Sequence, residues 1–167
     1  MSTKHRVWKY GDNVNTDLVF PGKYTYTVSH DPAELASHAL EDLDPHFAAQ
    51  VQPGDVIVAG RNWGNGSSRE QAVTCLVAAG VRAVIAASFA RIYYRNAINS
   101  GLLVIQCPLV AALVETGDSL ELDVAQAQVM VGEQTFSFPR LPESVAGIVE
   151  AGGLIPYLKR GYVQGTE

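Results

Sequence analysis

Asp55-Val56-Ile57-Val58-Ala59-Gly60, followed by Arg61-Asn62-Trp63-Gly64-Asn65-Gly66-Ser67-Ser68-Arg69-Glu70-Gln71 and then Ala72 to Ala79, is the stretch on which the fold turns. The first piece is a short, continuously apolar run set off by Pro53-Gly54 and Gly60, as expected of a strand buried on both faces. The last is an apolar, helix-like run that Gly80 closes. Between them, two glycines, two hydroxyls and an arginine collect where a strand hands over to a helix. Such a junction aims unpaired backbone N–H groups and the positive end of a helix dipole at whatever lies in front of it. It favours an anionic ligand, or a serine oxygen carrying negative charge.

The same alternation repeats outward. Arg82–Ala86 reads as a second buried strand, Phe89–Asn99 as a helix that Ser88 can cap and Gly101 ends, and Leu102–Ile105 as a third buried strand. Strand–helix–strand–helix–strand order implies parallel pairing with helical crossovers. Upstream, Arg6–Tyr10 is a short strand, and Asp31-Pro32-Ala33-Glu34 starts a helix running to about Glu41, with Asp as N-cap and Pro at the first helical position. Downstream, Ser119–Val124, Gln128–Val131 and Thr135–Phe138 read as short antiparallel strands, followed by helices from Pro142 to about Glu150 and from Leu154 to Arg160. The expected fold is α/β: a parallel-centred sheet with flanking helices and a smaller antiparallel patch, in one domain spanning 1–167.

Composition narrows the function. The 167 residues are 47% hydrophobic and 17% charged, which suits a substantial core and argues against disorder. A net charge of −5 argues against a partner held by phosphate attraction, so no nucleic acid is expected. No apolar run approaches the roughly 20 residues needed to span a bilayer, and the N-terminus lacks the apolar segment of a signal peptide, so no membrane is expected. The two cysteines, Cys75 and Cys107, are too few for a metal or disulfide framework and read as small buried apolar residues in a reduced, cytoplasmic setting. The four histidines form no ligand spacing, and no metal site is expected on this chain.

The serine-rich turn has two readings. Ser67-x-x-Glu70 and Ser68-x-x-Gln71 both have capping-box spacing, so one hydroxyl can simply cap the helix. The second is then left to face outward, and Arg69 beside it offers a planar fork suited to a carboxylate or phosphate. A cation at a helix N-terminus is electrostatically misplaced, which calls for a compensating anion. The turn is neither a Walker loop nor a dinucleotide fingerprint nor a hydrolase elbow. Gly11-Asp12-Asn13-Val14-Asn15-Thr16-Asp17 taken alone is an Asx-rich turn. Lys23-Tyr24-Thr25-Tyr26-Thr27 is an aromatic loop that suits a specificity lid or a loop packed by its own tyrosines. Arg91, Arg95 and Asn99 share a helix face and read as solvated surface or a subunit contact.

Taken in order, these segments resemble the swivelling β/β/α domain of the aconitase superfamily, in the form of the 3-isopropylmalate dehydratase small-subunit family. The likeness is carried by residues 11–17, by Pro21-Gly22-Lys23-Tyr24, by Gly60 to Ala72 with its Gly-Ser-Ser-Arg-Glu element, by Ala87-Ser88-Phe89-Ala90-Arg91-Ile92, and by Asn96 to Leu103. It covers about residues 6 to 160. It implies a hydro-lyase that isomerises 2- and 3-isopropylmalate by dehydration and rehydration in leucine biosynthesis. Related alternatives are homoaconitate, dimethylmalate and methylcitrate-type acids, and from another class, a non-catalytic anion-binding regulatory subunit.

The resemblance also implies a division of labour. A large partner subunit carries a 4Fe–4S cluster, and this chain binds no cofactor. Ser67 is the general base, and Asp17 matches an active-site acidic position. Ser68 and Arg69 hold the small branched hydroxy di- or tricarboxylic acid, and Tyr24, Thr25, Tyr26 and Thr27 form the substrate-discriminating loop. The sequence departs from the family at Asn65, where cysteine is common, at Gln71, where histidine is usual, and at Thr25, where leucine is commoner. Tyr26 stands where relatives acting on homoaconitate often carry arginine, and an aromatic there favours an apolar branch over an extra carboxylate. An isolated small subunit would self-associate through the face meant for its partner.

Overall fold

A computed structural model of the chain describes residues 3–26 and 30–164. Its centre is one seven-stranded mixed sheet. Strands β1 (Thr3–Lys9), β2 (Val56–Ala59), β3 (Ala83–Ala86) and β4 (Leu103–Gln106) are parallel. Strands β5 (Ser119–Asp123), β6 (Gln128–Val131) and β7 (Gln134–Ser137) continue antiparallel from the other edge of β1. The spatial order is β4-β3-β2-β1-β5-β6-β7.

The apolar runs form strands because both faces are covered. Alternate side chains point to opposite faces, and here they enter two separate cores. Trp8, Ile57, Val84 and Val104 join one; Val7, Val56, Ile85 and Ile105 join the other. The first core is roofed by helices α1 (Thr16–Val19), α2 (Pro32–Ser37), α3 (Phe47–Gln50), α4 (Gln71–Ala78) and α5 (Arg91–Asn99). The second is closed by α6 (Pro108–Leu113) and by Leu120, Leu122 and Val129 of β5 and β6, so the sheet curls over this face. Helices α7 (Glu143–Ala151) and α8 (Leu154–Gln164) complete the chain. Among the described residues, no helix is long and apolar enough to cross a membrane.

Several boundaries differ from expectation. Strand β1 reaches back to Thr3 because β5 pairs with its first residues. Helix α2 stops at Ser37, and residues 38–43 are turn rather than helix. Helix α5 begins at Arg91 and Ser88 does not cap it: its hydroxyl accepts the Asn62 N–H at 2.8 Å. Asp31 does cap α2, accepting from the Ala33 N–H. Helix α6 was not foreseen. Cys75 and Cys107 lie buried in the two separate cores.

Candidate active site

The segments leaving the C-terminal ends of β1, β2 and β3 run on side by side. Gly60 N–H donates to Gly11 O, Asn13 N–H to Arg61 O, Gly64 N–H to Val14 O and Thr16 N–H to Asn65 O. On the other flank Trp63 N–H donates to Ser88 O, and Ala90 N–H to Trp63 O. Residues 60–66 are thus a stair-tread held between two neighbours, in the place where open parallel sheets bind ligands. Gly64 must be glycine: its φ is +81°, and a Cβ there would lie 2.2 Å from Cγ of Tyr93. Tyr93 is itself fixed, donating its hydroxyl to Ala72 O at 2.8 Å. At Gly60 a Cβ would collide with the Asp12 carboxylate, whose Oδ1 accepts the Arg61 N–H at 2.7 Å.

Beyond Gly66 the chain opens a cleft of about 310 Å³ lined by Thr16, Ser67, Ser68, Arg69, Arg91 and Asn96, among others. Ser67 and Ser68 are both exposed. Neither caps a helix: α4 starts at Gln71, and its N-cap, Glu70, makes no side-chain capping bond. Instead Thr16 Oγ1 donates to the Ser67 carbonyl at 2.8 Å, and Asn96 Nδ2 donates to Ser68 Oγ at 3.1 Å. One hydroxyl is oriented from α5, while the backbone of the other is tied to the first residue of α1. Ser67 stands four residues before α4, so the helix start that faces the cleft is that of α5, whose first turn carries no side-chain cap. Its first-turn N–H groups and positive dipole end border the cleft.

Arg69 is half-buried and tied down on two sides. Its Nη2 pairs with Asp17 Oδ1, and its Nη1 reaches the Phe20 carbonyl at 3.5 Å. The anion that a cation at this position calls for is therefore supplied by the chain itself. Asp17 meets the site through Arg69; Asn15 places it, capping α1 through a bond from the Leu18 N–H at 2.9 Å. Gly22 lies against the pair, since a Cβ there would sit 3.0 Å from both Arg69 Nη1 and Asp17 Oδ1.

The aromatic loop divides into unlike parts. Tyr24 ends a 3-10 turn, Gly22–Tyr24, and gives its hydroxyl to Glu41 at 2.9 Å. That bond raises the Tyr24 hydroxyl above its ordinary pKa. The Glu41 carboxyl is held below its ordinary value, foremost by the hydrogen bond from His38 at 3.0 Å. The Thr25 carbonyl accepts from Gln71 Nε2 at 3.1 Å, so the unusual glutamine joins this loop to α4. Tyr26 is 97% exposed. Thr27 lies outside the described residues. Asn65 uses its amide to bond the Asn62 carbonyl at 3.0 Å.

Arg91 and Asn96 are among the cleft residues that sequence reasoning did not assign to it. Helix-face spacing read Arg91 as solvated surface or a subunit contact; it is exposed, and it also opens α5 beside the serines. The available signal was position: Ser88-Phe89-Ala90-Arg91 follows β3 just as the serine turn follows β2, and both face the C-terminal edge of a parallel sheet.

Residues 12–109 match the aconitase C-terminal domain family. The 3-isopropylmalate dehydratase small subunit of Halothermothrix orenii is 47% identical over 96% of this chain and 98% of its own length. The chain belongs to the aconitase C-terminal domain family. Other members at similar distance are named for different acids. The 2,3-dimethylmalate dehydratase small subunit of Eubacterium barkeri is 45% identical over 95% of this chain and 97% of its own. The isopropylmalate/citramalate isomerase small subunit of Methanocaldococcus jannaschii is 47% identical over 94% of each. A crystal structure of 3-isopropylmalate dehydratase from the same archaeon superposes with a TM-score of 0.89 at 44% identity, covering 99% of this chain and 98% of that one.

The family implies an iron–sulfur cluster, and the described residues of this chain do not fit one. The two thiols are buried in cores on opposite sides of the sheet, and burial raises both above the ordinary thiol pKa, where the metal-binding thiolate is scarce. Among the described residues, no group of three His, Cys, Asp or Glu side chains is placed to hold a metal ion.

Proposed function

We propose that the chain is the small subunit of a hydro-lyase that interconverts 2- and 3-isopropylmalate, in leucine biosynthesis and in the cytoplasm, as one domain that works against a large partner subunit. The observation that carries this reading is a single cleft holding the exposed Ser67 and Ser68 together with Arg69 and Arg91. A malate with an apolar branch is a dianion. Arg69, already held by Asp17, offers it the remaining N–H groups of a pre-positioned guanidinium, and Arg91, which makes no ion pair among the described residues, offers a second positive group for the other carboxylate.

Ser67 then takes the proton from the carbon next to the carbinol. The hydroxyl departs from the adjacent carbon and an alkene forms. Water adds back across the double bond with the hydroxyl on the other carbon. A serine hydroxyl is a poor base at neutral pH, so the site must favour the alkoxide. The dipole end of α5 and the two guanidinium groups have the required sign, and each gains strength when a partner excludes water. Arg69 also fixes the reacting carbon relative to Ser67, and Asp17 keeps Arg69 in place. The partner would carry the iron–sulfur cluster, which supplies Lewis acidity toward the departing hydroxyl.

The names of the relatives favour a second reading with the same chemistry: dimethylmalate or citramalate as substrate. The test is to assemble the chain with its large subunit anaerobically and assay isopropylmalate, 2,3-dimethylmalate, citramalate and homoaconitate in parallel. Turnover is expected to be fastest on isopropylmalate and to fall by about 1,000-fold or more in Ser67→Ala, with assembly unchanged. Activity that survives Ser67→Ala would instead make the chain a regulatory subunit.

A further inference from the structure

Outside the cleft, and without any part in the chemistry above, lies a compact set of interactions centred on Glu41. This residue sits in the turn between α2 and α3. It accepts the Tyr24 hydroxyl on both carboxylate oxygens, at 2.9 and 3.2 Å. Its Oε1 also accepts from His38 Nδ1 at 3.0 Å, and its Oε2 lies 3.7 Å from Lys23 Nζ. The His38 ring stacks on the Tyr24 ring with centroids 3.9 Å apart, and Phe20 meets both rings edge-on. Three side chains from one short segment, Phe20, Lys23 and Tyr24, are thus tied to a point on a different element.

The other side of that segment wraps Arg69. The Phe20 carbonyl accepts from its Nη1, Gly22 packs against its guanidinium and Asp17, and the Thr25 carbonyl is held by Gln71, two residues after Arg69 at the start of α4. Residues 20–25 therefore have two faces, one clasping the arginine and one clasped by Glu41.

We infer that Glu41 is a positioning residue for the substrate-binding arginine: through Tyr24 and His38 it fixes the segment 20–25 that surrounds Arg69. The inference rests on the reading of the cleft as the substrate site. A pair of hydrogen bonds to an ionised carboxylate restrains a loop far better than bonds between neutral groups. A loop freed to move by an ångström or so would hold Arg69 in several places instead of one.

The experiment uses the assembled two-subunit enzyme and compares wild type with Glu41→Ala, Glu41→Gln, Tyr24→Phe and the Glu41→Ala/Tyr24→Phe double variant. Glu41→Ala is expected to raise KM for isopropylmalate by about 10-fold or more while kcat changes by less than about 3-fold. Glu41→Gln, which keeps an acceptor for the Tyr24 hydroxyl but loses the carboxylate's charge, is expected to place KM between those of wild type and Glu41→Ala. The double variant is expected to be no worse than Glu41→Ala alone, because both changes break the same link. If Glu41→Ala does not fold, Tyr24→Phe, which removes only one oxygen, carries the test with a KM rise of about 3- to 10-fold. A folded Glu41→Ala enzyme with wild-type KM overturns the inference, as does full additivity of the two single changes. A wild-type complex inactive on all four acids overturns the cleft reading as well, and so is distinguishable from failure of this inference alone.

Discussion

The two ends of the parallel sheet each carry an arginine–aspartate pair, and the pairs are built in opposite senses. At the N-terminal end, Asp55 precedes β2 and is the buried partner: its side chain is 8% exposed while that of Arg6 is 42% exposed. One carboxylate oxygen accepts from Arg6 Nη2 at 2.7 Å, Trp8 Nε1 at 2.9 Å and the Gln52 N–H at 3.0 Å. At the C-terminal end the arginine is the sheltered partner, with Arg69 15% exposed and Asp17 61% exposed. A buried carboxylate saturated with donors is a finished structural joint. A sheltered guanidinium whose carboxylate partner stands in water keeps its fork fixed and leaves its charge open to a second anion. The same two residue types make a rivet at one end of the sheet and, on the function proposed above, a receptor at the other.

This contrast can be broken at either end. The largest effect is expected from Asp55→Ala, which strands the Trp8 indole N–H and the Arg6 guanidinium. Chemical denaturation should show a loss of about 2–3 kcal/mol, with KM unchanged in the protein that remains folded. Arg69→Lys should do the reverse. The melting temperature should stay within about 3 °C of wild type, while KM rises by about 10- to 50-fold because an ammonium cannot reproduce the fork. Asp17→Asn sharpens the comparison further: the exposed pair contributes less than about 1 kcal/mol to stability, yet a loosened Arg69 should raise KM about 3- to 5-fold.

The smallest effect is in pH. Burial pushes the Asp55 carboxyl up, but the bonds from Arg6, Trp8 and the Gln52 amide outweigh it and hold the folded value below the ordinary one. A depressed carboxyl contributes stability above its unfolded pKa of about 3.9 and loses it as pH falls through the folded value. The acid limb of a stability–pH curve should therefore be shallower in Asp55→Asn than in wild type. An identical limb in both would show that this end of the sheet is no rivet.

The parallel half was legible in the sequence because short apolar runs, each set off by a preceding glycine, leave little choice: β2, β3 and β4 lie within one residue of expectation. The order of the strands was not. That β1 sits between β2 and β5 depends on pairings made across about 50 and 115 residues, which local pattern does not encode. At the site, the glycines, one outward-facing serine and the need for an anion beside Arg69 could all be read from residue types. The helix start could not. Capping-box spacing favoured Ser67 or Ser68, but Thr16 and Asn96 arrive from other elements and bond to those serines. Arg91 was missed for the same reason, because a helix-face pattern says which residues share a face and not what that face meets.

Cys75 and Cys107 have a practical consequence. Both thiols are enclosed, and burial keeps them protonated at neutral pH. Alkylating reagents and mild oxidants find no reachable sulfhydryl on this polypeptide in its native state. Inactivation of an assembled enzyme by such reagents would then report on the companion chain alone, and the unmodified small subunit could be recovered and paired again with fresh material.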